Sequence, residues 1–177
     1  MIRILGLLAA LICAAPAIAQ PLPANVDKSN AIVIDTTKGR IVFKLRTDIA
    51  PQHAERIKQL AREGFYNNVP FHRVMDGFMA QTGDGQKFNG LGGSKYPNLA
   101  SEFTPTRFTR GVVGMARAQD PNSANSQFFI CFNDARFLDK QYTVWGKVTE
   151  GMDNVDQIKR GEPVVDPDKI VSAKMAA

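Results

Sequence analysis

From residue 31 onward, short β-prone segments follow one another at close intervals, broken by glycine and proline, and only two stretches carry helical spacing. This rhythm constrains the fold more than any single motif. Ala31 to Asp35 and Gly39 to Arg46 are separated by Thr36-Thr37-Lys38. In the second run Ile41, Phe43 and Leu45 share one face against Val42, Lys44 and Arg46, which predicts a hairpin with one buried face. Further strands are predicted at 71–75, 78–82, 111–116, 127–132, 142–149 and 168–175. Pro51 opens a helix with Ala54, Ile57, Leu60 and Ala61 on its inner side, Glu55, Arg56, Gln59 and Arg62 outward, and Gly64 closing it. A second, short helix falls near 152–159. Many strands and few helices predict a mainly β fold, an antiparallel barrel or sandwich, with the first helix plugging the sheet or packed on it. Residues 83–110 contain Gly83, Gly85, Gly90, Gly92 and Gly93 and are expected to form a long surface loop.

The amino-terminal segment obeys different rules. Met1-Ile2-Arg3 gives a positive start, Ile4 to Ala15 is an uninterrupted apolar run, and Ala17 and Ala19 place small residues three and one before Gln20. This pattern predicts a secretory signal peptide over residues 1–19, cleaved after Ala19. Pro16, Pro21 and Pro23 interrupt the uncharged stretch, whose apolar part is too short to span a bilayer. Cys13 follows the bulky Ile12, where lipoprotein processing needs a small residue, so it reads as filler in the apolar run. Residues 20–30 read as a flexible lead-in and residues 31–177 as one folded domain. Loss of Arg3 with the signal lowers the formal net charge from +5 to +4 and leaves Cys131 as the only cysteine. No internal disulfide is then possible, and stability must come from packing. The expected location is the periplasm.

Composition excludes several functions. The 44% hydrophobic content of 177 residues suits one domain with a real core. The 22 basic residues are scattered among 17 acidic ones with no basic run, so nucleic acid is not an expected partner. His53 and His72 are the only histidines, and a lone mature cysteine removes zinc and iron–sulfur sites. There is no Gly-x-Ser-x-Gly elbow and no P-loop, and Gly83-Asp84-Gly85 lacks the strand-then-helix setting of phosphate-binding glycines. No metal or cofactor is expected.

What remains is a surface without a nucleophile. Period two places Phe71, Arg73 and Met75 on one face and His72 and Val74 on the other, so Arg73 and His72 are not expected to share a site. The same rule sets Gln127 beside Phe129 and turns Phe128 and Ile130 toward the core. An amide beside an aromatic ring suits a peptide-binding face. Taken alone, Arg73 reads by default as a solvated or salt-bridged surface arginine, and Phe78, Met79, Phe129 and Leu138 as ordinary core. Gln81 and Gln127 could serve only buried backbone. His72 reads as structural, Cys131 as a packed small hydrophobe, and Trp145 as core or barrel wall.

The segment Phe71-His72-Arg73-Val74-Met75-Asp76-Gly77-Phe78-Met79-Ala80-Gln81-Thr82-Gly83-Asp84 closely resembles the signature of the cyclophilin-type peptidyl-prolyl cis–trans isomerases. So do Gly111-Val112-Val113-Gly114-Met115-Ala116, Asn125-Ser126-Gln127-Phe128-Phe129-Ile130-Cys131, Phe137-Leu138-Asp139 and Val144-Trp145-Gly146-Lys147-Val148. The resemblance runs from about Ala31 to Lys174. It implies an eight-stranded antiparallel closed barrel capped by two α-helices, with the site on the outer wall. The activity it implies is rotation of X–Pro bonds in exported client proteins, without cofactor, metal or covalent intermediate. Proline-containing unfolded or partly folded proteins are the implied partners of a monomer that touches no membrane once its signal is removed.

Position by position, Arg73 resembles the catalytic arginine, and Phe78, Met79, Phe129 and Leu138 the apolar pocket for the substrate proline. Gln81 and Gln127 resemble peptide-backbone contacts, while Ala116 and Arg117 match an edge that runs beside the substrate. Phe137 stands in place of a Trp, Tyr142 in place of a His, and Arg117 where many eukaryotic members have Asn, with one extra residue near Gln119-Asp120. These departures resemble the bacterial exported branch. Two other readings stand beside this one: a non-enzymatic chaperone or scaffold that keeps the pocket and binds proline segments, and a small-ligand carrier. A carrier would need an open lumen lined by mixed polar residues, whereas the Phe and Ile set predicts a filled one.

Overall fold

The computed structural model describes residues 21–22, 24 and 26–176, so the predicted signal peptide over 1–19 lies outside the described residues. The expected hairpin is formed by β1 (Ala31–Thr36) and β2 (Gly39–Leu45), paired from Ala31 opposite Lys44 to Thr36 opposite Gly39. Ile41, Phe43 and Leu45 are buried and Lys44 is exposed, but Val42 is buried as well, so the outer face of β2 is not uniformly wet. The predicted lead-in is ordered by its end: Lys28–Asn30 form a 3-10 turn, Asp27 caps it at the Ser29 N–H, and Lys58 reaches Asn30.

Helix α1 (Pro51–Arg62) starts on its proline, and Gly64 supplies the positive φ of +70° just beyond its end. Ala50 has no side chain to cap the first turn. A distant carboxylate does so instead: Glu102 accepts from the N–H groups of Gln52 (3.1 Å) and His53 (3.0 Å) and sits 2.6 Å from His53 Nδ1. Arg56, expected to face outward, is buried. Its guanidinium donates to Asn125 O (3.2 Å) and Pro97 O (2.8 Å) and lies over the Tyr96 ring. Helical spacing cannot reveal that a loop crosses that flank.

The remaining elements are β3 (Val69–Pro70), β4 (Arg73–Met75), β5 (Met79–Thr82), β6 (Val112–Met115), β7 (Phe128–Cys131), β8 (Val144–Glu150), α2 (Met152–Asp156) and β9 (Lys169–Met175). They form a curled antiparallel sheet in the order β3-β9-β1-β2-β8-β6-β7-β5-β4. The two ends of that order, β3 and β4, are separated in the chain only by Phe71 and His72. The sheet therefore returns on itself, and β3 and β4 taken as one bent strand turn the nine strands into the eight expected. At the bend the Phe71 N–H donates to Asp168 O at 2.9 Å. This break overturns the period-two placement, because Phe71 packs in the same cluster as Val74 and not on the side of Arg73.

The two faces of the sheet carry two apolar clusters. In register, Val74 opposes Ala80, Ala80 opposes Ile130, and Ile130 opposes Val113, and all four belong to the inner cluster. Phe43, Phe128 and Trp145 fill the lumen with edge-on rings 5.4–6.0 Å apart, and Tyr66 adds a fourth at 5.5 Å from Phe128. A lumen packed this way has no room for a carried ligand. The outer cluster holds Met79, Phe108, Val112, Phe129, Cys131, Ala135, Leu138 and Val144. The 83–110 stretch is not a plain surface loop: Asp84 and Phe108 are fully buried, and Leu99 pairs with Ala124. Among the described residues no helix is long and apolar enough to cross a membrane.

Candidate active site

Sheet register builds the site. Arg73 stands opposite Gln81, Gln81 opposite Phe129, and Phe129 opposite Gly114, across four neighbouring strands. Directly opposed residues share a face, so a guanidinium, an amide and an aromatic ring stand in a row on the outer wall. Gly114 contributes space. A Cβ there would lie 2.6 Å from ring atoms of both Phe108 and Phe129, and its absence lets those rings stack at 5.7 Å.

This row borders a cleft of about 900 Å³. Of the candidate site residues, Arg73, Phe78, Met79, Gln81, Ala116, Arg117, Phe129, Phe137, Leu138 and Tyr142 all line it. Met79, Phe129 and Leu138 form a buried floor. Phe78 and Phe137 make a wall with ring centroids 5.2 Å apart, and Phe137 is 65% exposed. Tyr142 meets Phe129 edge-on at 5.8 Å. Opposite Met79 in register, Cys131 is fully buried; burial, with a smaller push from Asp134, raises its thiol to about 12. It behaves as packing material.

Gln127 is the exception among the expected residues. It lines an adjoining cleft of about 490 Å³, and its Nε2 donates to the carbonyls of Gly90 (2.9 Å) and Gly92 (2.8 Å). Its Oε1 accepts from Gln81 Nε2 at 3.0 Å. Gln127 thus ties the glycine-rich loop to the row. Arg117 is also committed: it donates to Gln141 O, Ala118 O and Gln119 O and covers the Tyr142 ring at 4.6 Å.

Arg73 is engaged less completely. Nε donates to Glu162 at 2.6 Å, while Nη1 to Gln81 Oε1 at 3.4 Å and Nη2 to Met75 Sδ at 3.2 Å are weaker contacts. A guanidinium has five N–H donors, so capacity remains for a carbonyl in the cleft.

The expected separation of His72 from Arg73 does not hold, since both line the cleft. The bend at Phe71-His72 breaks the alternation on which that expectation rested. Burial lowers the His72 pKa, and the ring abuts Gly90, where a Cβ would lie 2.9 Å from Nε2. Glu162, Pro163, Leu91 and Gln141 also line the cleft and carried no sequence signal of doing so. Among the described residues no group of three His, Cys, Asp or Glu side chains could hold a metal ion.

The barrel has a filled lumen and carries an arginine beside an apolar cup on its outer wall, so the surface that a partner can reach lies outside the barrel and not within it. The family described as cyclophilin type peptidyl-prolyl cis-trans isomerase/CLD matches residues 31–175. A probable peptidyl-prolyl cis-trans isomerase of Brucella suis is 51% identical over 166 residues, which cover 85% of each chain. Peptidyl-prolyl cis-trans isomerase B of Escherichia coli is 39% identical over 136 residues, covering 72% of this chain and 83% of that one. Among solved structures, a cyclophilin from Hirschia baltica superposes with a TM-score of 0.79 at 32% identity, over 85% of this chain and 75% of that one. A Cryptosporidium parvum cyclophilin type isomerase in the presence of the dipeptide Ala-Pro gives 0.76 at 26%, over 82% and 98%. The chain belongs to the cyclophilin-type peptidyl-prolyl cis–trans isomerases, and it is an enzyme of that activity.

Proposed function

We propose that this isomerase works as a periplasmic monomer on exported proteins that are unfolded or partly folded, with the 900 Å³ cleft as its site and Arg73 as its catalytic residue. The observation that carries the site is the row of Arg73, Gln81 and Phe129 set by sheet register above a floor of Met79 and Leu138. The Cryptosporidium relative, whose structure was determined in the presence of Ala-Pro, supports a prolyl segment as the occupant.

Rotation about an X–Pro bond faces a barrier of about 18–20 kcal/mol, because the nitrogen lone pair is shared with the carbonyl. As the bond twists, that sharing is lost and the lone pair localises on nitrogen. A guanidinium held at the cleft can donate to the prolyl nitrogen or to the neighbouring carbonyl as this happens. The floor grips the prolyl ring so that one side of the bond turns against the other. In this reading Gln81, whose amide bridges Arg73 and Gln127, meets the peptide backbone, whereas Gln127 acts through the loop it holds.

Wild-type protein should isomerise a short X–Pro peptide, with Ala-Pro dipeptide competing. A folded protein that binds proline peptides without turnover would support the scaffold reading instead. Export rests on Met1 to Arg3, the apolar run and Ala17 and Ala19. Mass spectrometry of protein from the producing cell should find a chain beginning at Gln20, unlipidated and with Cys131 free. An uncleaved terminus or an acylated Cys13 would contradict export by this route.

A further inference from the structure

The loop after α2 brings a carboxylate against the proposed catalytic group by an arrangement of backbone anchors. Gly161 exchanges both backbone hydrogen bonds with Val74, at 2.8 and 2.9 Å, and the Val164 N–H donates to His72 O at 3.0 Å. The loop is therefore fixed to the residues on either side of Arg73, and the two residues between those anchors, Glu162 and Pro163, arch over Arg73 itself. Arg160 secures the near end: it donates to Asp76 (3.1 Å), Asp156 O (2.6 Å) and Ile158 O (2.7 Å) and lies 4.2 Å from the Phe132 ring centroid. Both arch residues line the cleft.

From this held position Glu162 Oε1 takes the Arg73 Nε–H at 2.6 Å, the shortest contact that the guanidinium makes. The two side chains are 40% and 52% exposed, and ion pairs so exposed contribute little to folding. With Nε held, the two Nη groups keep only their longer contacts to Gln81 Oε1 and Met75 Sδ, and their remaining N–H donors are left for a carbonyl in the cleft. A long, rotamer-rich side chain pinned at Nε loses less freedom when it engages the twisting bond in the transition state.

We infer that Glu162 is a positioning residue for the isomerase reaction: it fixes the Arg73 guanidinium in the orientation that meets the twisting X–Pro bond. This rests on the reading of Arg73 as the catalytic residue. Glu162 touches the reacting atoms only through Arg73, so its effect must vanish when Arg73 is gone.

A double-mutant cycle on a short X–Pro peptide tests this directly. Glu162→Ala is expected to lower kcat about 3- to 10-fold, the loss that follows from freeing one pinned side chain, with KM nearly unchanged and the melting temperature within a few degrees of wild type. Glu162→Gln keeps an oxygen acceptor at the same reach and should stay within about twofold of wild type. In the Arg73→Ala background, Glu162→Ala should cost nothing further. Wild-type turnover in Glu162→Ala, or losses that multiply in the double variant, would overturn the assignment. If Arg73→Ala alone kept full turnover, the reading of Arg73 would fall and Glu162's role with it. Loss in Arg73→Ala but none in Glu162→Ala would remove Glu162 alone.

Discussion

At Gly114 a methyl group would meet Phe108 and Phe129 ring atoms at 2.6 Å, inside a stack that is buried on both sides. Neither ring can yield easily in a close-packed cluster, so Gly114→Ala should destabilise the fold by about 1–3 kcal/mol. Phe129 is also floor of the cleft, so the displaced ring should raise KM for a proline peptide. Thermal melting and steady-state kinetics on one preparation check both effects, and unchanged KM would show that Phe129 keeps its place. Residue by residue, the sequence was legible wherever a strand stayed regular. Phe128 and Ile130 do face the inner cluster and Phe129 the outer one, as alternation requires. Alternation misled at Phe71 and His72, where the chain bends between two partner strands, and at Arg56, where a loop buries the flank of a helix. Both failures have one cause, a long-range neighbour that local periodicity does not contain.

Among the elements, the glycine-rich loop shows what a segment without periodicity hides. Asp84, fully buried, accepts backbone N–H groups from Gln86, Lys87, Asn89, Gly90 and Gly92 and so gathers the loop around one carboxylate. Burial alone would raise its pKa. The N–H groups of Lys87, Gly92, Gln86 and Gly90 outweigh burial and hold it down at about 2. A carboxyl held below its unfolded value contributes stability in full above the unfolded pKa near 4, and loses it as pH falls through about 2. The part at stake is about 2 kcal/mol. Wild-type stability should therefore decline across that window. Asp84→Asn should be less stable by at least that amount at pH 7, and it should lack this component of the decline. Urea unfolding at pH 7, 4, 3 and 2.5 measures both. An equal decline in the variant would assign it to other carboxylates. Asn89, Gly90 and Leu91 of this loop line the cleft, so losing the anchor should also loosen that wall. The glycines marked the loop in the sequence, but nothing marked its center as an aspartate shielded from water. The arch carrying Glu162 was hidden for a related reason, since it meets Arg73 from 89 residues further along the chain.

At the scale of the molecule, one sheet presents two faces and each has a separate task. The inner face packs aromatic rings into a lumen that carries stability, and the outer face, where Cys131 is buried as a free thiol, is left to hold a cleft. Strand count left a barrel or a sandwich open and the family resemblance implied the barrel; in the structure β3 and β4 follow each other as one bent strand at the two ends of the sheet order. Arg73, Met79, Gln81 and Phe129 came together because neighbouring strands hold them in register, and register is what alternating sequence encodes best, whereas Phe78, Ala116, Arg117, Phe137, Leu138 and Tyr142 stand outside the strands and were legible only through the family resemblance. Those it missed arrive on connections: Leu91, Gln141, Glu162 and Pro163. The central claim is that Arg73 stabilises the twisted X–Pro bond while the rest of the cleft supplies binding. It is tested most directly by kcat/KM for a short X–Pro peptide with Arg73→Ala, in protein shown by circular dichroism and melting to be folded as wild type. One charge-assisted hydrogen bond realised in the transition state contributes about 1.5–3 kcal/mol, which corresponds to a fall of roughly 10- to 150-fold. A fall in that range with Ala-Pro still bound is the predicted result, and kcat/KM equal to wild type in the folded variant would contradict the account.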